Sequence, residues 1–165
     1  MGGDATKVPL SALGGLLSLA CTSEASVNPV QDDFSVYIID DDASVRGGLS
    51  RLMRSAGLRP HAFATANEFF AHLPSSHEGC ILLDVTMPEM NGLQVQEKLR
   101  EQGVRLPVIV LSATENEEVR QATHALGARF FLRKPVDAQA LLDAITWVSR
   151  APTQPRIAPT PRPRG

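Results

Sequence analysis

Five short apolar runs alternate with five helix-like segments along the middle of this chain, a pattern that spans about 115 residues. The predicted strands are 34–40, 58–63, 79–84, 107–112 and 129–132. The predicted helices are 43–56, 66–73, one that ends near 102, 117–126 and 137–150. Strands that alternate with helices in this way form a parallel sheet with helices on both faces, because each crossover lays a helix over the sheet. The sequence therefore predicts an α/β domain with five parallel strands.

The helical segments carry local signals for their ends and their buried faces. Asp42 precedes the first helix and is a candidate N-cap, since its carboxylate can accept hydrogen bonds from free backbone N–H groups. In the third helix, Leu93, Val95 and Leu99 are expected to face the core. Gly47-Gly48 lies inside the first helix, where each glycine costs about 1 kcal/mol relative to alanine. Either a partner approaches closely there or the pair reflects neutral drift.

Composition divides the 165-residue chain into one domain and two flanking segments. With 43% hydrophobic residues, the chain can bury the core of a domain of about 120 residues. We expect 1–33 to be a flexible N-terminal extension and 34–150 to be the folded domain. Residues 151–165 are rich in arginine and in proline, which disfavours helix and strand interiors. This segment is therefore predicted to be a disordered tail.

Charge, apolar runs and cysteine content argue against several classes of protein. The formal net charge is −2, so the chain as a whole lacks the basic surface of a nucleic-acid-binding protein. The apolar stretch 10–20 is too short to span a bilayer. Cys21 and Cys80 form no disulfide framework, which suits a reducing cytosol, and we expect a cytoplasmic location. The histidines lack ligand spacing and are expected at the core edge or the surface: His61, His72, His77 and His124.

Acidic side chains stand at the ends of two predicted strands, and a lysine ends a third. Asp40 and Asp41 close the first run, Asp84 closes the run 80–83, and Lys134-Pro135 follows the run 130–132. The carboxyl ends of parallel strands share one edge of the sheet, where ligands bind. Clustered carboxylates oppose one another's ionisation unless a cation neutralises them. The pattern indicates a divalent metal, Mg²⁺, beside a carboxylate that accepts a phosphoryl group.

Four segments of the chain carry a resemblance to a known family. They are VYIIDDDASVRGGLSRLM, ILLDVTMPEMNGLQ, PVIVLSA and FLRKPV. In order and spacing they resemble the signature blocks of bacterial two-component response-regulator receiver domains, and most of all the nitrogen-fixation regulator type. The resemblance covers roughly 34–150. It implies a flavodoxin-like, doubly wound (βα)5 sandwich whose parallel strands have the order 2-1-3-4-5.

The resemblance assigns roles to the residues of the reaction and of the switch. Asp84 would be the phosphoacceptor, and Lys134 and Ser112 would contact oxygens of the phosphoryl group. Ser112 and Phe131 would form the switch that responds to phosphorylation. The family also implies a cis peptide bond at Lys134-Pro135.

The same resemblance implies a magnesium site. Asp41 and Asp84 would bind Mg²⁺ directly, and Asp40 would bind it through water. The backbone carbonyl of Thr86 would add a further oxygen, because Mg²⁺ prefers octahedral oxygen coordination.

Together these expectations describe a stand-alone receiver of a phosphorelay. It would accept its phosphoryl group from a sensor histidine kinase or a phosphotransfer protein, and it would phosphorylate and dephosphorylate itself rather than turn over as an enzyme. The output would be a changed surface on helix four, strand five and helix five, which would bind a second copy or a downstream protein. We expect no direct binding to nucleic acid and no association with a membrane.

Other functions remain as alternatives. The chain could be a phosphate sink for its kinase, or a truncated DNA-binding transcriptional regulator without its output domain. A haloacid-dehalogenase-like phosphatase needs a second acid two residues after its nucleophile, where this chain has Thr86. An interaction module that is not phosphorylated would lack part of the acid and lysine set, which this chain keeps complete.

Overall fold

The structure is a computed structural model, and it describes residues 34–73 and 78–150. Strands and helices alternate throughout this part of the chain. The strands are β1 Ser35–Ile39, β2 Arg59–Phe63, β3 Gly79–Asp84, β4 Val108–Ser112 and β5 Ala128–Arg133. The helices are α1 Ala43–Ser55, α2 Ala66–Ala71, α3 Gly92–Glu101, α4 Glu117–Ala125 and α5 Ala138–Arg150. The predictions for 1–33 and 151–165 fall outside the described residues.

All five strands run parallel in one sheet with the order β2-β1-β3-β4-β5. This is the order that the sequence resemblance implied, so the predicted doubly wound α/β fold is confirmed. Because β1, β3 and β4 are adjacent, their carboxyl ends lie side by side at one edge of the sheet. The strand order therefore decides which loops can form a common site.

The ends of the elements differ from the sequence prediction by one or two residues. β4 begins at Val108 rather than at Pro107, because proline has no backbone N–H to donate to a neighbouring strand. α5 begins at Ala138, and Asp137 acts at its start by accepting a hydrogen bond from the backbone N–H of Ala140 at 2.8 Å. Asp42 is the N-cap of α1, as predicted.

Two apolar clusters cover the two faces of the sheet. Successive residues of a strand point to opposite faces, so Leu82 of β3 joins the cluster of α1 and α5, whereas Leu83 joins that of α2 and α3. Every residue of β3 is buried. The strand that carries Asp84 is therefore fully enclosed, as is its neighbour β4, and close packing holds its last residue in a fixed place.

Helix α3 buries a different set of side chains from the one expected. Val95 and Leu99 are buried as predicted, but Leu93 is only half-buried. Gln96 takes the inward position instead, and its Nε2 donates to the carbonyl of Thr123 at 3.1 Å. The buried residues of α3 are Gly92, Val95, Gln96 and Leu99, which have the spacing of one helical face and include one polar residue.

Within residues 34–73 and 78–150, no helix is long and apolar enough to cross a membrane.

Two histidines, His61 in β2 and His72 at the end of α2, lie close together. The rings of His61 and His72 have centroids 6.3 Å apart, and His61 stacks on Tyr37 at 5.2 Å. Burial lowers the pKa of His61, and the positive charges of His72 and Arg59 lower it further. The fold therefore favours the neutral form of His61.

This preference predicts a dependence of stability on pH. The unfolded chain binds a proton at His61 near pH 6.5, above the folded-state pKa, so stability should fall as the pH is lowered through this range. In urea denaturation at about pH 8 and about pH 5.5, His61→Gln should lose less stability on acidification than the natural sequence. An equal loss of stability in His61→Gln and in the natural sequence would contradict the prediction.

Candidate functional site

The strand-end residues singled out in the sequence converge at one edge of the sheet. Asp40 directly follows β1, Asp84 is the last residue of β3, Ser112 is the last residue of β4, and Lys134 directly follows β5. The sheet order makes these strands neighbours, so residues from four parts of the chain lie together. This arrangement fits the general rule that ligand sites of open α/β sheets lie beyond the carboxyl ends of the strands.

Lys134 joins the two buried acids. Its Nζ lies 2.6 Å from Oδ2 of Asp40 and 3.1 Å from Oδ1 of Asp84. The side chains of Asp40 and Asp84 are 1% and 5% exposed, and that of Lys134 is 18% exposed. Charged groups taken out of water in this way require close partners. The three side chains therefore act as one electrostatic unit.

Burial and mutual contact shift the pKa values of this unit. Burial raises the pKa of Asp84, Lys134 opposes this increase through its charge and hydrogen bond, and the charge of Asp40 adds to it. Burial lowers the pKa of Lys134, but its bonds and charge interactions with Asp40 and Asp84 raise it by more, so its pKa lies above the ordinary value. The lysine thus stays charged where the carboxylates need a counter-ion.

The donor set fits a hard divalent cation. One carboxylate oxygen from each of Asp40, Asp41 and Asp84 lies within 4.8 Å of the others. Asp41 is exposed, unlike the other two acids, so its carboxylate can meet an ion that enters from solvent. Mg²⁺ takes oxygen ligands, retains waters and needs few carboxylates, which matches this half-open cluster. The ligand role of the Thr86 carbonyl stays a prediction.

Ser112, the last residue of β4, and Phe131, in β5, each make separate contacts. The Ser112 hydroxyl is buried and donates to the carbonyl of Thr114 at 2.9 Å. The carbonyl of Ser112 accepts a hydrogen bond from the backbone N–H of Lys134 at 2.7 Å, which ties the end of β4 to that of β5. Phe131 is half-buried and packs against the cluster that contains Leu83. The Lys134-Pro135 peptide bond is cis, as the resemblance implied.

Two residues that hold the site were missed in the sequence. Nη1 of Arg46 donates to the backbone carbonyl of Asp40 at 2.7 Å. Gly92 begins α3 so close to the strand that a Cβ on it would lie 2.9 Å from the carbonyl oxygen of Asp84 and from Cα of Val85. Arg46 has no sequence signal beyond its place in the first helical turns. Gly92 reads in sequence only as half of a turn.

The close approach at Gly92 predicts a steric cost. Gly92→Ala should lower the free energy of unfolding by about 1–3 kcal/mol, because the new methyl group displaces the backbone that follows β3. Gly48→Ala is the control, since a Cβ there meets nothing within 4 Å, and it should raise stability by about 0.5–1 kcal/mol. Urea denaturation of the two variants should therefore give shifts of opposite sign. Equal stability of Gly92→Ala and the natural sequence would show that the loop after β3 adapts freely.

The sheet order and the strand-end acids are those of the receiver domains of two-component signalling. Residues 36–146 match the family described as "Response regulator receiver domain", and the chain belongs to this family.

Individual relatives agree with this assignment. The chain is 42% identical over 127 residues to "Response regulator protein TmoT" of Ectopseudomonas mendocina, and the aligned part is 75% of this chain and 57% of that protein. It is 40% identical over 111 residues to "Transcriptional regulatory protein TdiR" of Thauera aromatica, which covers 67% and 49%. Full-length FixJ from B. japonicum is a similar solved structure, with 31% identity and a TM-score of 0.67 over 71% of this chain and 58% of that one. The chain thus spans about half the length of the curated relatives it matches.

Proposed function

We propose that the chain is a phosphorylation-controlled switch that accepts a phosphoryl group on Asp84 from a phosphohistidine of a sensor kinase or phosphotransfer protein. The observation that carries this proposal is the setting of Asp84. It is buried at the end of β3, lies in contact with Lys134, and has two further carboxylates within 4.8 Å. A carboxylate in such a place can act as a nucleophile toward phosphorus.

In the proposed step, an oxygen of Asp84 forms a bond to phosphorus while the bond between phosphorus and the histidine nitrogen breaks. The bonding electrons stay on the imidazole, and the product is an acyl phosphate on Asp84. Lys134 already contacts Asp84, so its ammonium group can form an ion pair with the oxygens of the phosphoryl group once that group is on Asp84. Mg²⁺ held by Asp41 and Asp84, by Asp40 through water, and by the Thr86 carbonyl would neutralise those oxygens further.

We propose that Ser112 and Phe131 transmit the change. When Ser112 turns its hydroxyl toward a phosphoryl oxygen, it gives up its bond to Thr114, and Phe131 can move into the vacated space. A groove of about 540 Å³ lies between α4 and β5, and Phe131 is one of its walls. Movement of this ring therefore changes a surface that a second copy or another protein could bind.

The proposal is tested by incubating the chain with a small-molecule phosphodonor, with and without Mg²⁺, and measuring its intact mass. We expect a gain of one phosphoryl group that depends on Mg²⁺. A chain that stays unlabelled under conditions where Mg²⁺ binds would rule out a phosphoacceptor.

A second function is favoured by the relatives that match over part of their length. The match covers 49% of TdiR, whose name describes a transcriptional regulator. Under this proposal, the receiver controls a transcriptional output carried by a longer polypeptide. The intact mass of the protein isolated from its own cells tests this, since it would then exceed that of 165 residues.

A further inference from the structure

Of the three acids in the cluster, Asp41 has the fewest contacts that fix its side chain. It is exposed, and among the described residues its carboxylate forms no hydrogen bond or ion pair. Asp40 and Asp84, in contrast, each form an ion pair with Lys134. The direction of the Asp41 side chain therefore depends on how the backbone around it is fixed.

That backbone is held on both sides of Asp41. On one side, the carbonyl of Asp40 accepts a hydrogen bond from Nη1 of Arg46 at 2.7 Å. On the other side, the backbone N–H of Asp42 donates to Oδ1 of Asp40 at 2.9 Å, and Asp42 itself caps α1 through the N–H groups of Ser44 and Val45. The peptide that carries Asp41 is thus joined to the start of α1, and the Arg46 guanidinium fixes its amino-terminal side.

Arg46 has no other use that the structure shows. Arg46 is half-buried as a residue, and within residues 34–73 and 78–150 its guanidinium pairs with no carboxylate, although three acids lie close by in sequence. Arginine keeps its charge under all ordinary conditions and presents its donors on a rigid plane. Its side chain donates a hydrogen bond to one backbone carbonyl beside the acid cluster, and this contact indicates a role at that cluster.

We propose that Arg46 is a positioning residue of the metal site: by fixing the Asp40 carbonyl, it directs the carboxylate of Asp41 toward the ion. This inference rests on the proposed function only in taking Mg²⁺ as the ion. Groups that orient metal ligands commonly change affinity by about 10–100-fold when they are replaced.

The charge of Arg46 and its hydrogen bond make opposite predictions. A positive guanidinium repels a divalent cation, so if charge alone mattered, its removal would strengthen Mg²⁺ binding. If Arg46 positions Asp41, its removal weakens Mg²⁺ binding even though that repulsion is gone. The sign of the change therefore separates the two roles.

The experiment is calorimetric titration of the unphosphorylated full chain with Mg²⁺. Arg46→Met has similar length and helix propensity but lacks both donor and charge. We expect it to bind Mg²⁺ about 10-fold more weakly with an unchanged thermal midpoint. Arg46→Lys, which keeps the charge and can donate one bond, should recover part of the affinity. Arg51→Met removes an exposed charge from the same helix and is the control that should keep the natural affinity.

A second background tests the route through Asp41. In Asp41→Asn, which keeps an oxygen but loses the charge, adding Arg46→Met should weaken Mg²⁺ binding less than it does in the natural sequence. Equal or tighter binding by Arg46→Met would overturn the proposal, and so would the same weakening in both backgrounds. If Arg46→Met fails to fold, Arg46→Lys decides in its place: weaker Mg²⁺ binding than in the natural sequence supports positioning, and tighter binding contradicts it. If the natural chain itself binds no Mg²⁺, the metal part of the proposed function fails, which is a different result.

Discussion

Asp84→Asn should abolish phosphoryl labelling while leaving the fold intact. The amide lacks the negative oxygen that attacks phosphorus, and no other carboxylate of the cluster is the last residue of a fully buried strand. The replacement also removes a buried charge whose pKa is raised by burial, so metal-free stability should be equal or higher. Intact mass after incubation with a phosphodonor and Mg²⁺ measures the first effect, and urea denaturation measures the second.

The control for this variant is Asp143→Asn. Asp143 is exposed on α5, where it accepts a hydrogen bond from Gln139, and it is not a member of the acid cluster. It should be labelled as fully as the natural sequence. Persistent labelling of Asp84→Asn would transfer the phosphoacceptor role to another side chain, and peptide mapping would then locate it.

The architecture and the identity of the buried acids were accessible from the sequence. Strand-end residues such as Asp84 and Lys134 are readable because a short apolar run predicts a strand, and parallel strands share the edge at which they end. The order of the strands was not readable from periodicity. It came from the resemblance of four segments to a family, and the structure has the same order.

The residues that the sequence did not reveal act through long-range geometry. Arg46 matters because its side chain reaches back to the carbonyl of Asp40, and no periodicity predicts such a contact. Gly92 matters because α3 starts against the backbone of Asp84, a distance that only the packed fold defines. Gln96 reads as a surface residue by type, yet it is buried and bridges α3 to the carbonyl of Thr123 on α4. In each case a tertiary contact overrides the expectation from residue type.

Asp84 and Ser112 lie at the ends of the neighbouring strands β3 and β4, and the contacts between these strand ends bear on the switch. The structure joins them indirectly: the backbone N–H of Lys134 donates to the Ser112 carbonyl, and its ammonium group contacts Asp84. Phe131 lies three residues before Lys134 on β5, where it pairs in register with Val110 of β4. A shift of Lys134 or Ser112 toward a phosphoryl group would therefore displace residues of β5 and change the shape of the groove beside α4.

Phosphorylation should strengthen self-association or the binding of a protein partner by at least about fivefold, the lower end of ordinary coupling between two sites. Ser112→Ala should keep labelling of Asp84 but lose most of this gain, because the hydroxyl that would leave Thr114 for the phosphoryl oxygen is gone. Lys134→Ala should also lose the gain, since it removes the contact that joins Asp84 to the end of β5. Sedimentation of labelled and unlabelled chains, together with pull-down of a purified cognate partner, measures both effects.

Ser55→Ala is the matched control for the hydroxyl. Ser55 ends α1, its side chain is exposed and bonds only to the Leu52 carbonyl, and it lies outside the surface formed by α4, β5 and α5. It should keep the full gain on phosphorylation. A labelled natural chain whose association is unchanged would instead favour a phosphate sink, because a receiver that gains no binding can only drain phosphoryl groups from its kinase. Retention of the gain in Ser112→Ala would leave phosphorylation as the trigger but assign its transmission to a group other than the Ser112 hydroxyl.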